Sequence, residues 1–276
     1  MSAIPEYVLG RSEDESQRLI KQAGYLQTIT EQILIVAGIK PGMRVLDVGC
    51  GAGDVSLLAA SLVGPTGAVV GIDRNGSLLE LARRRAQEAG FLQVQFEERS
   101  IDDDSLTQQF DAAIGRLVLI YQSDPAKALA SVAKRARPGG IIAFIETDMS
   151  GGLRSEPESP LFRQVGEWIT TAFARGNVRH DLGSRLFSVF LEAGLPEPSM
   201  RLFQVVVGGH RSRQLCQHYA DTARSVLPEL ERRGIASAAE VGVETLAARL
   251  EADIAARHSQ IYSYPMIAAW TQLPAG

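Results

Sequence analysis

Between residues 44 and 146 the chain alternates short apolar runs with longer stretches that mix apolar and charged positions. The runs Arg44–Val48, Ala68–Ile72, Leu92–Glu97, Phe110–Gly115 and Gly140–Glu146 read as five strands. Asp54–Val63, Ser77–Ala89 and Pro125–Arg137 read as helices among them, with turns at Lys40-Pro41-Gly42, Gly64-Pro65-Thr66-Gly67 and Gly90. This alternation predicts βαβ units and a parallel sheet covered by helices on both faces. The later chain differs. Helices are predicted over Pro160–Arg175 and Gly183–Ala193, then a strand over Met200–Val207. Inserted helices follow over Arg211–Arg257, and a last strand over Ile261–Trp270. The sum is a seven-stranded, mostly parallel α/β fold with a helical insertion at about 211–257, before the last strand. Ahead of the sheet, Ser12 and Glu15 form a capping-box pattern that opens a helix over Glu13–Leu26. A second helix runs from Thr28 to Ala37 and stops at Gly38. This N-terminal segment, with Tyr7, Gln22 and Tyr25, is either a lid over a ligand or a packing helix.

The composition suits a folded chain: of 276 residues, 45% are apolar and 22% charged. The formal net charge of −4 lacks the basic excess of a nucleic-acid binder. Arg83-Arg84-Arg85 lies on a predicted helix and reads as a solvated face. Cys50 and Cys216 are the only cysteines, so neither a disulfide framework nor a cysteine metal signature is implied, and a cytoplasmic location is expected. The first residues lack the basic and apolar blocks of a signal peptide, and no apolar run is long enough to span a membrane.

One turn in this pattern carries chemistry. Val45-Leu46-Asp47-Val48 leads into Gly49-Cys50-Gly51-Ala52-Gly53-Asp54, so a glycine-rich loop joins a strand to a helix. Glycines let the backbone turn sharply and approach a ligand, and a helix start supplies unpaired N–H groups. Dinucleotide-binding loops use G-x-G-x-x-G and seat a pyrophosphate at that helix start. The spacing here is G-x-G-x-G, flanked by Asp47 and Asp54. A carboxylate at the helix start would repel a pyrophosphate. It suits the amino-acid end of S-adenosylmethionine, which bears an ammonium and a sulfonium. The next strand ends at Asp73, which is placed to accept hydrogen bonds from two ribose hydroxyls or else serves as a turn or cap residue; Arg74 follows it.

With these residues in place the chain resembles class I S-adenosylmethionine-dependent methyltransferases. It is most similar to the ubiquinone- and menaquinone-biosynthesis type and to small-molecule methyltransferases of natural-product pathways. The resemblance is strong over about 40–150 and loose elsewhere. It implies a Rossmann-like fold with S-adenosyl-L-methionine as cofactor. It implies one methyltransferase domain over 1–276, with N-terminal helices over 1–40, a cofactor-binding core over 41–150 and an acceptor side over 151–276. By the same resemblance Asp47, Gly49, Gly51 and Gly53 hold the methionine part and Asp73 the ribose. The family's Gly-Asp-Ala after strand three is replaced by Arg99-Ser100-Ile101, with Asp102 next. Ser100 or Asp102 then stands in for the acid that meets the adenine amino group and the Ile101 N–H reaches the ring, or else Asp102-Asp103-Asp104 is a solvated loop. Arg116 and Leu117, at the end of strand four, line the cofactor between its two ends. The block Arg135–Gly140 is a turn that feeds strand five.

Methyl transfer from a sulfonium is an in-line substitution, so the protein mainly aligns the nucleophile and excludes water. A base is needed only when the nucleophile is protonated and weakly acidic. His180, in a polar loop between predicted helices, is the candidate base, with a surface or capping role as its alternative. Glu146 and Asp148 either touch substrate or cap the following segment, and His218 and Tyr219 face either pocket or core. Cys50 reads as a packing residue. Trp168, Phe173 and the inserted helices read as an apolar roof over an aromatic or lipid-like acceptor. No metal is expected. The expected partner is a small-molecule acceptor attacked at O, N or C; nucleic acid is disfavoured, and a homodimer is compatible with the chain. Three other readings compete. A nicotinamide oxidoreductase is disfavoured by the glycine spacing. A protein of this fold could bind the cofactor without transferring its methyl group. An RNA or protein methyltransferase is disfavoured because Arg116–Gln122 stands where an Asn-Pro-Pro-Tyr type motif would be.

Overall fold

In chain order, the computed structural model has a helix over 26–37 (α1), β1 (Arg44–Val48), α2 (Asp54–Val63), β2 (Ala68–Asp73), α3 (Gly76–Glu88) and β3 (Val94–Glu98). Next come β4 (Phe110–Arg116), α4 (Pro125–Ala133), β5 (Ala136–Thr147), β6 (Arg154–Glu156), α5 (Pro160–Arg175) and α6 (Leu182–Glu192). The chain closes with β7 (Ser199–Phe203), β8 (Val206–Gly208), α7 (Arg213–Arg232), α8 (Ala238–Val241), α9 (Leu246–Ala256), β9 (Gln260–Tyr262) and β10 (Met266–Gln272). The structure describes residues 26–103, 106 and 108–276. The helix expected over Glu13–Leu26, its capping box and the lid reading of Tyr7, Gln22 and Tyr25 lie outside the described residues, Leu26 excepted.

The main sheet has seven strands in the order β3-β2-β1-β4-β5-β10-β7. Parallel pairing joins Val45 to both Val69 and Ala112, Val69 to Val94, and Ala112 to Ile141. Its central strands are buried on both sides, which explains their nearly unbroken apolar sequence. One face carries Val45, Val69, Ala112, Ile114 and Ala143 against Leu34 of α1 and Leu58 and Ala59 of α2. A second cluster joins Leu79, Ala82 and Ala86 of α3 with Phe96 of β3 and Cys50. The strand order reverses beside β1, which lies between β2 and β4. Open α/β sheets bind ligands at the carboxyl ends of the strands at such a point.

Packing divides the chain into two units. One holds the sheet segment up to Glu146, with Leu182–Arg201 and Ile267–Gly276. The other holds Thr147–Asp181 and Leu202–Met266. The second unit contains α5, α7 and α9 and a three-stranded sheet in the order β6-β9-β8, antiparallel throughout. Its core includes Phe162 and Tyr219, whose rings meet edge-on.

Four expectations are corrected. The strand expected over Met200–Val207 is two strands, β7 and β8, in different sheets, and that expected over Ile261–Trp270 is likewise β9 and β10. Each break has a physical cause. Pro265 has no N–H to give a ladder, and Ser263 turns its N–H to the Val205 carbonyl (2.9 Å) while its hydroxyl accepts the Val205 N–H (3.0 Å). The helix expected over Pro125–Arg137 ends at Ala133, and the supposed turn Arg135–Gly140 lies largely within β5. There the Phe110 N–H donates to the Arg135 carbonyl (2.9 Å), so pairing with β4 overrides the local pattern.

Candidate functional site

Because β1 to β5 run parallel, their carboxyl ends share one edge of the sheet. The glycine loop, Asp73, the segment after β3, Leu117–Leu119 and Glu146 all follow or end these strands. The glycine loop leaves β1 with φ values of +64°, +51° and +85° at Gly49, Gly51 and Gly53, a region costly for other residues. A Cβ at Gly53 would lie 3.0 Å from Ala82 and 3.1 Å from the Phe96 ring, so glycine there lets α2 start against α3 and β3. At Gly51 no atom of the described residues, its chain neighbours aside, lies within 4 Å of where a Cβ would sit.

Asp73 and the loop are one construction. The Gly51 N–H donates to Asp73 Oδ2 and the Asn75 N–H to Asp73 Oδ1, both at 2.9 Å. The turn and ligand readings of Asp73 therefore do not exclude each other. A carboxylate has about four acceptor sites, and two of these are used. Beneath the loop, buried Asp47 accepts the Ser56 hydroxyl at 2.6 Å, tying the end of β1 to α2. Burial pushes the Asp47 carboxyl up to about 7, against the opposing Ser56 hydrogen bond and the attraction of Arg116. Burial likewise pushes the Cys50 thiol well above its ordinary range, which leaves it a packing group and not a nucleophile.

The segment after β3 is also held. The Arg99 N–H donates to the Asp73 carbonyl (2.9 Å) and the Asp103 N–H to the Ser100 carbonyl (3.2 Å). The Ser100 hydroxyl donates to the exposed Asp102 carboxylate and holds its pKa below the usual range. The Ile101 and Asp103 carbonyls accept from Arg135, at 2.7 Å each. Exposed Arg74 follows Asp73. At the end of β4, Arg116 donates to the Thr30 hydroxyl of α1 (2.9 Å), and Leu117 adopts a φ of +58°. Wholly buried Glu146 accepts the N–H groups of Val118 (3.0 Å) and Leu119 (2.8 Å) through Oε1, while Oε2 has no hydrogen-bond partner among the described residues. Burial lifts this carboxyl to about 8, against the pull of those N–H groups. Val118 in turn packs over the loop, for a Cβ at Gly49 would come within 2.6 Å of it.

Several residues take roles the pattern alone hid. Arg85 was read with a solvated triplet, yet it donates to the Ala52 carbonyl (2.6 Å) and pairs with Asp54 (2.7 Å). Asp54 is therefore partly neutralised, and its repulsion of a pyrophosphate is weaker than its position suggested. Glu146 and Asp148 both serve turns: Asp148 accepts the N–H (2.8 Å) and hydroxyl (2.5 Å) of Ser150. His180 lies in the second unit, where its carbonyl accepts the Met149 N–H (2.7 Å) and its N–H donates to Val178 (2.9 Å). Tyr219 is core there, 2% exposed, and accepts the Tyr264 N–H at 2.9 Å. Nothing in the sequence pattern marks Arg135 or Arg85, whereas an acid ending an apolar strand did mark Glu146. Among the described residues no group of three or more His, Cys, Asp or Glu is placed to hold a metal, and no helix is long and apolar enough to cross a membrane. A cleft of about 450 Å³ beside Lys40, Met43, Asp111 and Arg137 lies at the opposite, amino-terminal ends of β1 and β4, away from these residues.

Residues 39–180 match the family described as a methyltransferase domain. The ubiquinone/menaquinone biosynthesis C-methyltransferase UbiE of Ectopseudomonas mendocina is 33% identical over 147 residues, 50% of this chain and 52% of that protein. The ubiquinone biosynthesis O-methyltransferase of Bordetella bronchiseptica is 32% identical over 171 residues, 60% of this chain and 67% of that protein. A crystal structure from Bacillus halodurans superposes with a TM-score of 0.60 at 17% identity, covering 89% of this chain and 99% of that one, a likeness of fold. The chain spans about half the length of the C-methyltransferase it matches. With more than half of its own length matched, the chain belongs to the methyltransferase-domain family.

Proposed function

We propose that the protein transfers a methyl group from S-adenosyl-L-methionine to a small-molecule acceptor. The observation that carries this reading is the joined pair of glycine loop and strand-end acid, Gly51 N–H on Asp73, at the carboxyl edge of a parallel sheet. These residues fit the cofactor. Asp73 keeps acceptor capacity for two hydroxyls, and the open approach at Gly51 lets a ligand meet the loop backbone. Asp47, Gly49, Gly51 and Gly53 would hold the methionine part, with Asp47 a buried acid whose ionised form a neighbouring ammonium favours. Arg74, Ser100, Ile101 and Asp102 would hold the ribose and adenine side, and Arg116 and Leu117 the stretch between. When bound, the cofactor supplies an electrophilic methyl group on a sulfonium, so the chain's part is alignment and exclusion of water.

His180 is the proposed proton acceptor where the attacked atom carries a proton. Residues after about Ser150 are proposed to choose the acceptor. The two relatives are named for ubiquinone or menaquinone biosynthesis, which makes hydroquinones and phenols the first acceptors to try. The test measures thermal stabilisation by S-adenosylhomocysteine and by NADH, then methyl transfer to a panel of phenols and hydroquinones. Stabilisation by S-adenosylhomocysteine with turnover of one acceptor is expected. Stabilisation by NADH alone would overturn the reading. Replacement of His180 by Ala is expected to slow turnover of a protonated acceptor with S-adenosylhomocysteine affinity unchanged.

A further inference from the structure

Arg135 ends the connection from α4 to β5 with its guanidinium buried, the residue being 4% exposed. The connection itself needs no arginine. Its backbone makes the turn, with the Arg135 N–H on the Val132 carbonyl (3.0 Å) and the Phe110 N–H on the Arg135 carbonyl (2.9 Å). A buried cation is costly unless its donors are used. Here they reach, from the amino-terminal start of β5, the segment that returns from β3 to β4, at the carbonyls of Ile101 and Asp103, one on each side of Asp102. The far end of the same turn is tied to Asp73 through the Arg99 N–H, and the Arg99 guanidinium pairs with Asp103 at 3.0 Å. The turn is thus fixed at both ends, while Asp102 between them stays exposed and ionised.

We propose that Arg135 is a positioning residue: it clamps the 101–103 turn so that the Asp102 carboxylate and the Ile101 N–H present a fixed edge that selects adenine. The proposal rests on the reading of this sheet edge as the S-adenosylmethionine site. It also explains how the chain manages without an acid at the position the family usually fills, since a carboxylate displaced to Asp102 needs an added restraint to hold it in place.

The probes are S-adenosylhomocysteine and S-inosylhomocysteine, in which a carbonyl replaces the adenine amino group. A carboxylate that accepts from that amino group meets an acceptor in the inosine form and loses the bond. The wild-type protein should prefer the adenosyl form by at least about tenfold. Calorimetry on Arg135→Ala should show the adenosyl affinity falling at least about tenfold and the preference shrinking towards one. Arg135→Lys keeps the charge but reaches one carbonyl at most, and should fall between. It also serves if the alanine variant does not fold. Asp102→Asn should shrink the preference, leaving only what the Ile101 N–H contributes, without changing the melting temperature. A lower melting temperature with the preference intact would make Arg135 merely structural and overturn the proposal. A wild-type protein that binds both forms equally would remove Asp102 as the adenine contact, and the proposal with it. A protein that binds neither would instead overturn the cofactor site itself.

Discussion

Gly51 combines a φ of +51° with open space where a side chain would begin. Backbone and ligand therefore make separate demands, and substitutions can separate them. An alanine costs about 1–2 kcal/mol of backbone strain at a left-handed position and meets no atom of the described residues beyond its chain neighbours. A valine adds two methyl groups and the greater strain of β-branching. Gly51→Ala should fold with a modestly lower melting temperature and bind S-adenosylhomocysteine at least about tenfold more weakly, and Gly51→Val should bind none. Cys50→Ala should bind normally. Wild-type affinity in Gly51→Ala would mean that the loop backbone does not face the ligand. Asp73 presents a different case, for its carboxylate both anchors the loop and keeps capacity for hydroxyls. Asp73→Ala thus removes the carboxylate acceptors of two backbone N–H groups along with any ribose contact. A loss of affinity greater than that caused by Gly51→Ala is expected, with some loss of stability as well.

At the scale of elements, the helices and strands up to β4 were legible because they show their period and most meet a glycine or proline at one end, whereas pairing with β4 moved the junction of α4 and β5. β1, α2 and α5 lie where the pattern put them, to the residue. The small sheet was not legible. β6, β8 and β9 are three residues each, too short for a period to appear, and they are strands only because they find one another. Its support comes from the helix beside it, where Tyr219 of α7 accepts the Tyr264 N–H just after β9 and packs edge-on against the Phe162 and Tyr264 rings. Tyr219→Phe keeps the ring and strands a buried N–H, at a cost of about 1–3 kcal/mol. A denaturant melt should show that loss while S-adenosylhomocysteine affinity holds. Unchanged stability would mean that the hydroxyl is dispensable to this core.

Over the whole molecule, two buried acids couple folding to pH. Asp47 and Glu146 hold their protons up to about 7 and about 8 in the native state, far above ordinary carboxyl values. The native state therefore binds more protons than the unfolded chain between about pH 4.5 and 8. Each group's contribution to stability is full below its unfolded pKa and is lost as pH rises through its native one. Glu146→Gln keeps an oxygen for the Val118 and Leu119 N–H groups and cannot ionise. Urea melts at pH 5, 6.5 and 8 should show the wild-type protein losing stability more steeply than this variant, by up to about 1.4 kcal/mol per pH unit. Equal slopes would show that Glu146 does not titrate in this range. By itself the sequence determined the alternating strands and helices, the glycine loop with Asp73 one strand later, and hence the methyltransferase-type core, because these are local signals written in period and spacing. Tertiary structure alone decided which charges are structural. Arg135 reaching residues 101 and 103, Arg85 capping the loop and Glu146 holding the 118–119 turn each join positions about thirty residues apart, and such pairings exist only once the folded sheet and its helices bring distant segments side by side.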